Sequence, residues 1–425
     1  MKKLTRLIKD DMKPALGVTE PGAIAFAVAT AKTYVKGDIR HVTLRLNSGI
    51  FKNAFTCGIP GSKEVGNFHA AALGAVAADP KKGLECLDGI TETEKELAAQ
   101  MVSDGKISVQ LHTISSKIFI EATVETSTEK ATVLIKDSHT NIVTITVNEK
   151  TVFQKDADVP EESEESPVIH QYTLTDMVTY AKEVPLEEIS FIKEAFEMNM
   201  ALFYEGLENE KTTYARYLFR QNQNQIFSSD EQKTASLLCN AAIEARVIGL
   251  DKPAMSITGS GAHGIIATLP LYAVYKVSGY SEEKLLRATA LSYLICMYIK
   301  EYSGKLSAFC GCAIAAGTGM ACGLVFLKDG TIDAMERTIN NMASSITGMI
   351  CDGGNQGCTM KGIVAVDAAF ASANMALEGI SIDKIHGING PTPEDTMHYM
   401  GKIASPGMTG TEKTIIEILQ QKQTI

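Results

Sequence analysis

Between Lys305 and Lys328 the chain runs for twenty-two residues, LSAFCGCAIAAGTGMACGLVFL, without a single charge. No other feature constrains the fold as tightly, because such a stretch must be enclosed by lipid or by protein. It is long enough to cross a bilayer. However, Ala, Gly, Cys, Ser and Thr dominate it, so its transfer into hydrocarbon is only weakly favourable, and no second comparable span accompanies it. The expectation is a helix buried on all sides, whose small side chains let neighbouring backbones come close. Stretches near residues 332–347 and 361–378 share this character. A helical domain packed around a site is therefore expected, and a membrane partner is not.

Five of the nine cysteines fall in this glycine-rich region, among them Cys310, Cys312, Cys351 and Cys358. In CDGGNQGC, Cys351 and Cys358 stand seven positions apart, and Gly353, Gly354 and Gly357 between them can take backbone conformations closed to other residues. Thiolates gathered in such a loop suit metal ligation, although a free cysteine also serves as a small buried hydrophobe. Thiolates alone do not select the ion, so zinc stays open beside iron. The amino-terminal MKKLTRLIKDDMKP has no continuous apolar core, and the cysteine count is odd, as in a chain from a reducing, cytoplasmic compartment. A formal net charge of −10 argues against nucleic acid as a partner.

At 425 residues two domains are expected, 1–167 and 168–425, in an α+β fold. The first half mixes helix and strand. AIAFAVATAKTYV, after Thr19 and Pro21, reads as a helix, and so does the alanine-rich NFHAAALGAVAA. HVTLRLN, KISVQLH, KIFIEATVET, KATVLIKD and NIVTITVN alternate as strands of a mostly antiparallel sheet. KDADVPEESEESP, residues 155–167, is acidic and poor in apolar side chains, which suits a linker. Beyond it, helical periodicity dominates, and no fixed-period repeat is visible.

GSGAHG, residues 259–264, matches the glycine fingerprint of dinucleotide-binding folds. Its surroundings argue otherwise, since SIT is too short for the preceding strand and Pro270 is expected to interrupt the following helix. A loop presenting backbone N–H groups to a carboxylate, with Ser260 and Gly261 at its centre, is the better reading. Other polar groups are Thr19 and Glu20, Lys52 and Asn53, and Ser138, His139, Thr140 and Asn141. Each also has an ordinary role: a helix start, a solvated charge, a capped turn. No HExxH, GxSxG or P-loop occurs.

In order, GVTEPGAIAFA, SGIFKNAFTCGIPGS, HTNIV, GSGAHGI, LSAFCGCAIAAGTG and SITGMICDGGNQGC resemble the L-cysteine desulfidase family, a relative of the iron–sulfur L-serine dehydratases. The resemblance extends from about residue 12 to residue 380. It implies pyridoxal-independent β-elimination, in which a small L-amino acid, cysteine or serine, loses its β-substituent to give pyruvate and ammonia, with sulfide from cysteine. It further implies a 4Fe-4S cluster on Cys310, Cys351 and Cys358, with Cys312 spare. One iron lacks a protein ligand and acts as a Lewis acid, and such a cluster is lost readily in aerobic preparations.

The resemblance places Glu20, Lys52 and His139 in catalysis, with Lys52 and His139 donating to the substrate carboxylate. Thr19, Asn53, Thr140, Asn141, Ser260 and Gly261 would line the substrate. Two departures stand out. Family members read GCTEP, whose cysteine is the usual candidate base, whereas this chain has Val18 there. Glu20, Lys52, His69 and Cys57 are the substitutes to weigh. Ala262 also replaces an asparagine, removing one polar partner for the substrate. A catalytically silent relative that binds an amino acid or senses redox state is therefore the alternative. Small-residue helices at a surface lead one to expect a homodimer.

Overall fold

The computed structural model describes residues 2–155, 167–304 and 307–423. Almost all of the acidic stretch read as a linker lies outside them. The fold is α+β. Eight strands are described: β1 (Lys13–Leu16), β2 (His41–Asn47), β3 (Ile107–Thr113), β4 (Phe119–Glu125), β5 (Lys130–Lys136), β6 (Ile142–Val147), β7 (Lys150–Gln154) and β8 (Pro253–Ser256). Six form one sheet in the order β3-β2-β4-β5-β6-β7, antiparallel except for the parallel β2–β3 pair.

Burial alternates along β2 and β5, so the sheet keeps one apolar face. Helices Thr19–Lys32 and Gly66–Val76 cover it. These helices are rich in alanine because they touch each other at backbone distance: a Cβ on Gly74 would lie 2.6 Å from the Ala25 carbonyl oxygen. β7 goes beyond the strands expected from sequence. All its residues are exposed at the sheet edge, so no apolar alternation announces it. Its turn does so weakly, because Asn148 and Glu149 both have positive φ, as a two-residue hairpin requires.

In the second half, Gly317–Leu327 is buried at every residue. It is enclosed by helices Gly261–Ser278, Glu282–Ser303, Ile332–Ile346 and Gly357–Leu377. A Cβ on Gly319 would meet the Ser292 carbonyl oxygen at 2.2 Å, which is the physical reason for the chargeless small-residue run. Among the described helices, Gly357–Leu377 is long and apolar enough to cross a membrane by length and composition. It packs one face against helices Glu231–Val247 and Ile332–Ile346.

Pro270 does not interrupt its segment, contrary to the expectation from sequence. It sits buried inside helix Gly261–Ser278, where packing on all sides outweighs the missing N–H. The strand before this helix, β8, pairs antiparallel with β1 in a two-stranded ribbon, which is not the parallel sheet of a dinucleotide-binding fold. That ribbon also ties the amino-terminal segment to the helical second half.

Candidate functional site

The two halves enclose a cavity of about 750 Å³. Its thiol wall is assembled from backbone pairing. Phe309 and Ile350 form an isolated antiparallel bridge. Beside it, the Cys310 amide donates to the Met349 carbonyl at 3.0 Å and the Cys351 amide to the Ala308 carbonyl at 2.6 Å. Residues forty positions apart are thus neighbours. Cys358 enters on the first turn of helix Gly357–Leu377, its thiol directed at the Gly353 carbonyl at 3.5 Å. Cys310, Cys312, Cys351 and Cys358 all line the cavity. The turn Cys312–Ala316 is π-helical, a local widening frequent at functional sites.

The cysteine loop lies directly on the chain around Lys52 and Asn53. Gly353 has φ +116°, and a Cβ there would stand 2.4 Å from the Lys52 carbonyl oxygen, so only glycine fits. The Gly354 amide donates to the Asn53 carbonyl at 3.2 Å. This contact brings in the polar residues of the first half. Asn53 Nδ2 donates to Glu20 Oε1 at 2.8 Å, and Asn53 Oδ1 lies 4.0 Å from Cys351 Sγ. Val18 lines the cavity against Gly354.

The thiols are mutually coupled. The neighbouring Cys312 thiol and burial hold Cys310 well above the ordinary thiol range. Burial and the nearby Cys351 push Cys358 to about 11. Three cations share the cavity: Arg246, Lys300 and Lys361. Burial opposes the charge on Lys361, but its bond to Asp352 and the adjacent Cys358 raise it to about 12. Burial lowers Lys300, which donates to the Gly304 carbonyl. Among the described residues no three His, Cys, Asp or Glu side chains gather tightly enough to share one ion.

A second wall is the GSGAHG turn. Thr258 holds φ +52°, costly for a β-branched residue, and its amide donates to Asp11 Oδ2 at 2.6 Å. Its hydroxyl bonds His263 Nδ1. His263 Nε2 faces the cysteine turn, only 2.8 Å from where a Cβ on Gly311 would be. Burial first, then Lys300 and Arg246, depress His263 to about 3, so the imidazole is neutral.

Of the residues singled out from sequence, Thr19, Glu20, Asn53, His139, Ser260, Cys310, Cys351 and Cys358 line this cavity. Lys52 stands behind it, ion-paired with Glu412 at 2.8 Å and donating to the Ser307 carbonyl at 3.0 Å. Thr140 and Asn141 form the β5–β6 turn, where Asn141 Nδ2 donates to the Lys136 carbonyl. Gly261 lies against Arg246. Of the alternative bases, His69 is engaged by Glu64 and the Val65 carbonyl, and Cys57 is buried with its thiol held well above the ordinary range by burial and Glu20. Arg246, His263, Lys300 and Lys361 escaped the reading from sequence. Arg246, Lys300 and Lys361 each sit singly on a helix with no motif to mark them, whereas His263 lies within GSGAHG, where attention fell on the glycines and Ser260.

Most of the chain, residues 81–417, matches the family model described as serine dehydratase alpha chain. Full-length relatives are similar throughout. A UPF0597 protein of Clostridium botulinum (strain Langeland / NCTC 10281 / Type F) is 42% identical over 98% of both chains. One from Caldanaerobacter subterraneus subsp. tengcongensis is 36% identical over 99% of this chain and 98% of its own. A third, from Clostridium perfringens (strain SM101 / Type A), is 34% identical over 98% of both.

Proposed function

This chain belongs to the serine dehydratase alpha chain family, and from that premise we propose that it is a pyridoxal-independent lyase that eliminates the β-substituent of L-cysteine or L-serine with the help of a 4Fe-4S cluster. One observation carries the proposal: Cys310, Cys351 and Cys358 line the same cavity as Glu20, which Asn53 holds beside Cys351. Those three thiols would hold the cluster. When bound, it supplies a Lewis-acidic iron that neutralises the charge of the departing sulfide or hydroxide.

The chain's own groups do the rest. Lys361 places positive charge beside Cys310 and Cys358 and partly offsets the neighbouring thiols and burial that hold them protonated. Glu20, oriented by Asn53, takes the α-proton that the thiol of a GCTEP motif would otherwise take. The Cα–H electron pair forms the Cα–Cβ double bond as the Cβ–S or Cβ–O bond breaks, and the leaving group departs with its pair. The released enamine tautomerises and is hydrolysed to pyruvate and ammonia. Val18, Ile118, Met297 and Phe309 give the cavity an apolar lining that restricts water.

The test is anaerobic purification followed by iron and acid-labile sulfide analysis and a pyruvate assay with L-cysteine and L-serine. Bound iron and sulfide with pyruvate release are expected. Glu20→Gln should lower kcat by about 100-fold or more, the usual range for a general base. Iron-loaded protein that is inert in the wild type but active as Val18→Cys would instead mark a silent relative.

A further inference from the structure

We propose that Arg246 and the first turn of helix Gly261–Ser278 form the subsite that holds the α-carboxylate of the bound amino acid. The assignment rests on the lyase reading for the identity of the ligand, and on the geometry alone for its chemistry.

Arg246 stands on the last turn of helix Glu231–Val247, is only 6% exposed, and lines the cavity. Among the described residues its Nε has no hydrogen-bond partner, and two carboxylates of the same cavity, Asp11 and Glu20, accept instead from the Thr258 amide and Asn53. That is unusual. A buried guanidinium without an anion is costly, and removing it should stabilise the fold unless a ligand supplies the missing charge. Arg287 shows what a structural arginine looks like here: it donates to the Ala181 and Val184 carbonyls and pairs with Glu283.

The helix beside Arg246 supplies the second half of the site. Ser260 precedes the helix without capping it through its side chain, and the first intrahelical bond runs from the Gly264 amide to the Ser260 carbonyl. The amides of Gly261, Ala262 and His263 are therefore beyond the reach of any carbonyl in their own helix. A Cβ on Gly261 would lie 2.7 Å from Arg246 Nε, so the glycine is what lets the guanidinium rest against the helix start. A full positive charge thus rests against the helix start that carries these three amides, which suits a carboxylate. Because this turn adjoins the thiol wall through His263 and Gly311, a carboxylate held here leaves the β-substituent free to turn toward the cysteines. Substrates would then need a free carboxylate, and amides or esters of the same amino acids would be rejected.

The experiment is calorimetric binding of L-serine, pyruvate and L-serinamide to the full-length chain, before and after anaerobic reconstitution with iron and sulfide. L-Serine should bind the wild type, Arg246→Gln should weaken it by about 10- to 100-fold, and Arg246→Lys should recover part of the loss. L-Serinamide should bind all three proteins equally weakly. Without ligand, Arg246→Met should melt at or above the wild-type temperature, whereas L-serine should raise the melting temperature of the wild type alone. Equal loss of L-serine and L-serinamide binding in Arg246→Gln, unchanged L-serine binding in that variant, or no binding of either L-serine or pyruvate to the wild type would overturn the proposal. Because binding to the chain before reconstitution is read without turnover, a chain that binds through Arg246 yet never makes pyruvate after reconstitution would sink the lyase reading and leave this one standing.

Discussion

At the scale of single residues, the site gathers groups whose ordinary protonation is displaced. His263 is the clearest. Its folded form is held to about 3 by burial, Lys300 and Arg246, against an ordinary histidine value near 6.5. Between those values the unfolded chain binds a proton that the folded chain refuses, so stability falls as pH falls through that window and is unaffected above it. The slope from one such group is at most about 1.4 kcal/mol per pH unit. Urea unfolding of the wild type at pH 7.0 and pH 5.0 should therefore show a clear loss at the lower pH, and His263→Gln should lose less. Equal losses in both proteins would move the effect to other groups. The same scale explains why Val18 matters: it occupies cavity wall beside Gly354, where a thiol would face the cysteine loop.

At the scale of elements, the site depends on contacts between segments far apart in sequence. Lys52, 1% exposed, ties helix Ser48–Asn53 to Glu412 on helix Thr409–Gln423 and to the Ser307 carbonyl just ahead of Cys310. Lys52→Met would leave Glu412 buried without its counter-ion and should cost about 3–5 kcal/mol, whereas Lys52→Met with Glu412→Leu should cost far less. Chemical denaturation of the single and double variants measures the difference. This pairing also marks where the sequence stops being legible. The chargeless run, the helices Thr19–Lys32 and Gly66–Val76 and five strands of the sheet follow from local pattern, because period and composition carry them. The cysteines are legible too, since their glycine spacing is unusual. Lys52 looked like a donor to substrate only because nothing local reveals a partner 360 positions away. Nothing in the sequence marks Arg246, because its distinction is the absence of a partner for Nε among the described residues, which only the folded packing reveals. Pro270 misled for the converse reason, as tertiary burial overrode a local rule.

For the whole molecule, the cavity couples the two halves. Its lining runs from Leu7 to Lys361, and its thiol wall exists only when the Phe309–Ile350 bridge, the loop over Asn53 and helix Gly357–Leu377 are all in place. An unfolded chain presents Cys310, Cys351 and Cys358 without fixed spacing, so a cluster that needs all three binds the native state in preference. Preferential binding to the native state stabilises it by mass action. Anaerobic reconstitution with iron and sulfide should therefore raise the melting temperature of the wild type by several degrees, since about 1 kcal/mol shifts a chain of this length by about 1 °C and tight binding to the native state contributes several kcal/mol. Cys358→Ser and Cys351→Ser should each show little or none of that rise, while Cys312→Ser should keep it. A Cys312→Ser variant that loses the rise while Cys358→Ser retains it would mean the ligand set is drawn differently among the four thiols of the wall. A rise that survives all three substitutions would place the iron elsewhere in the molecule.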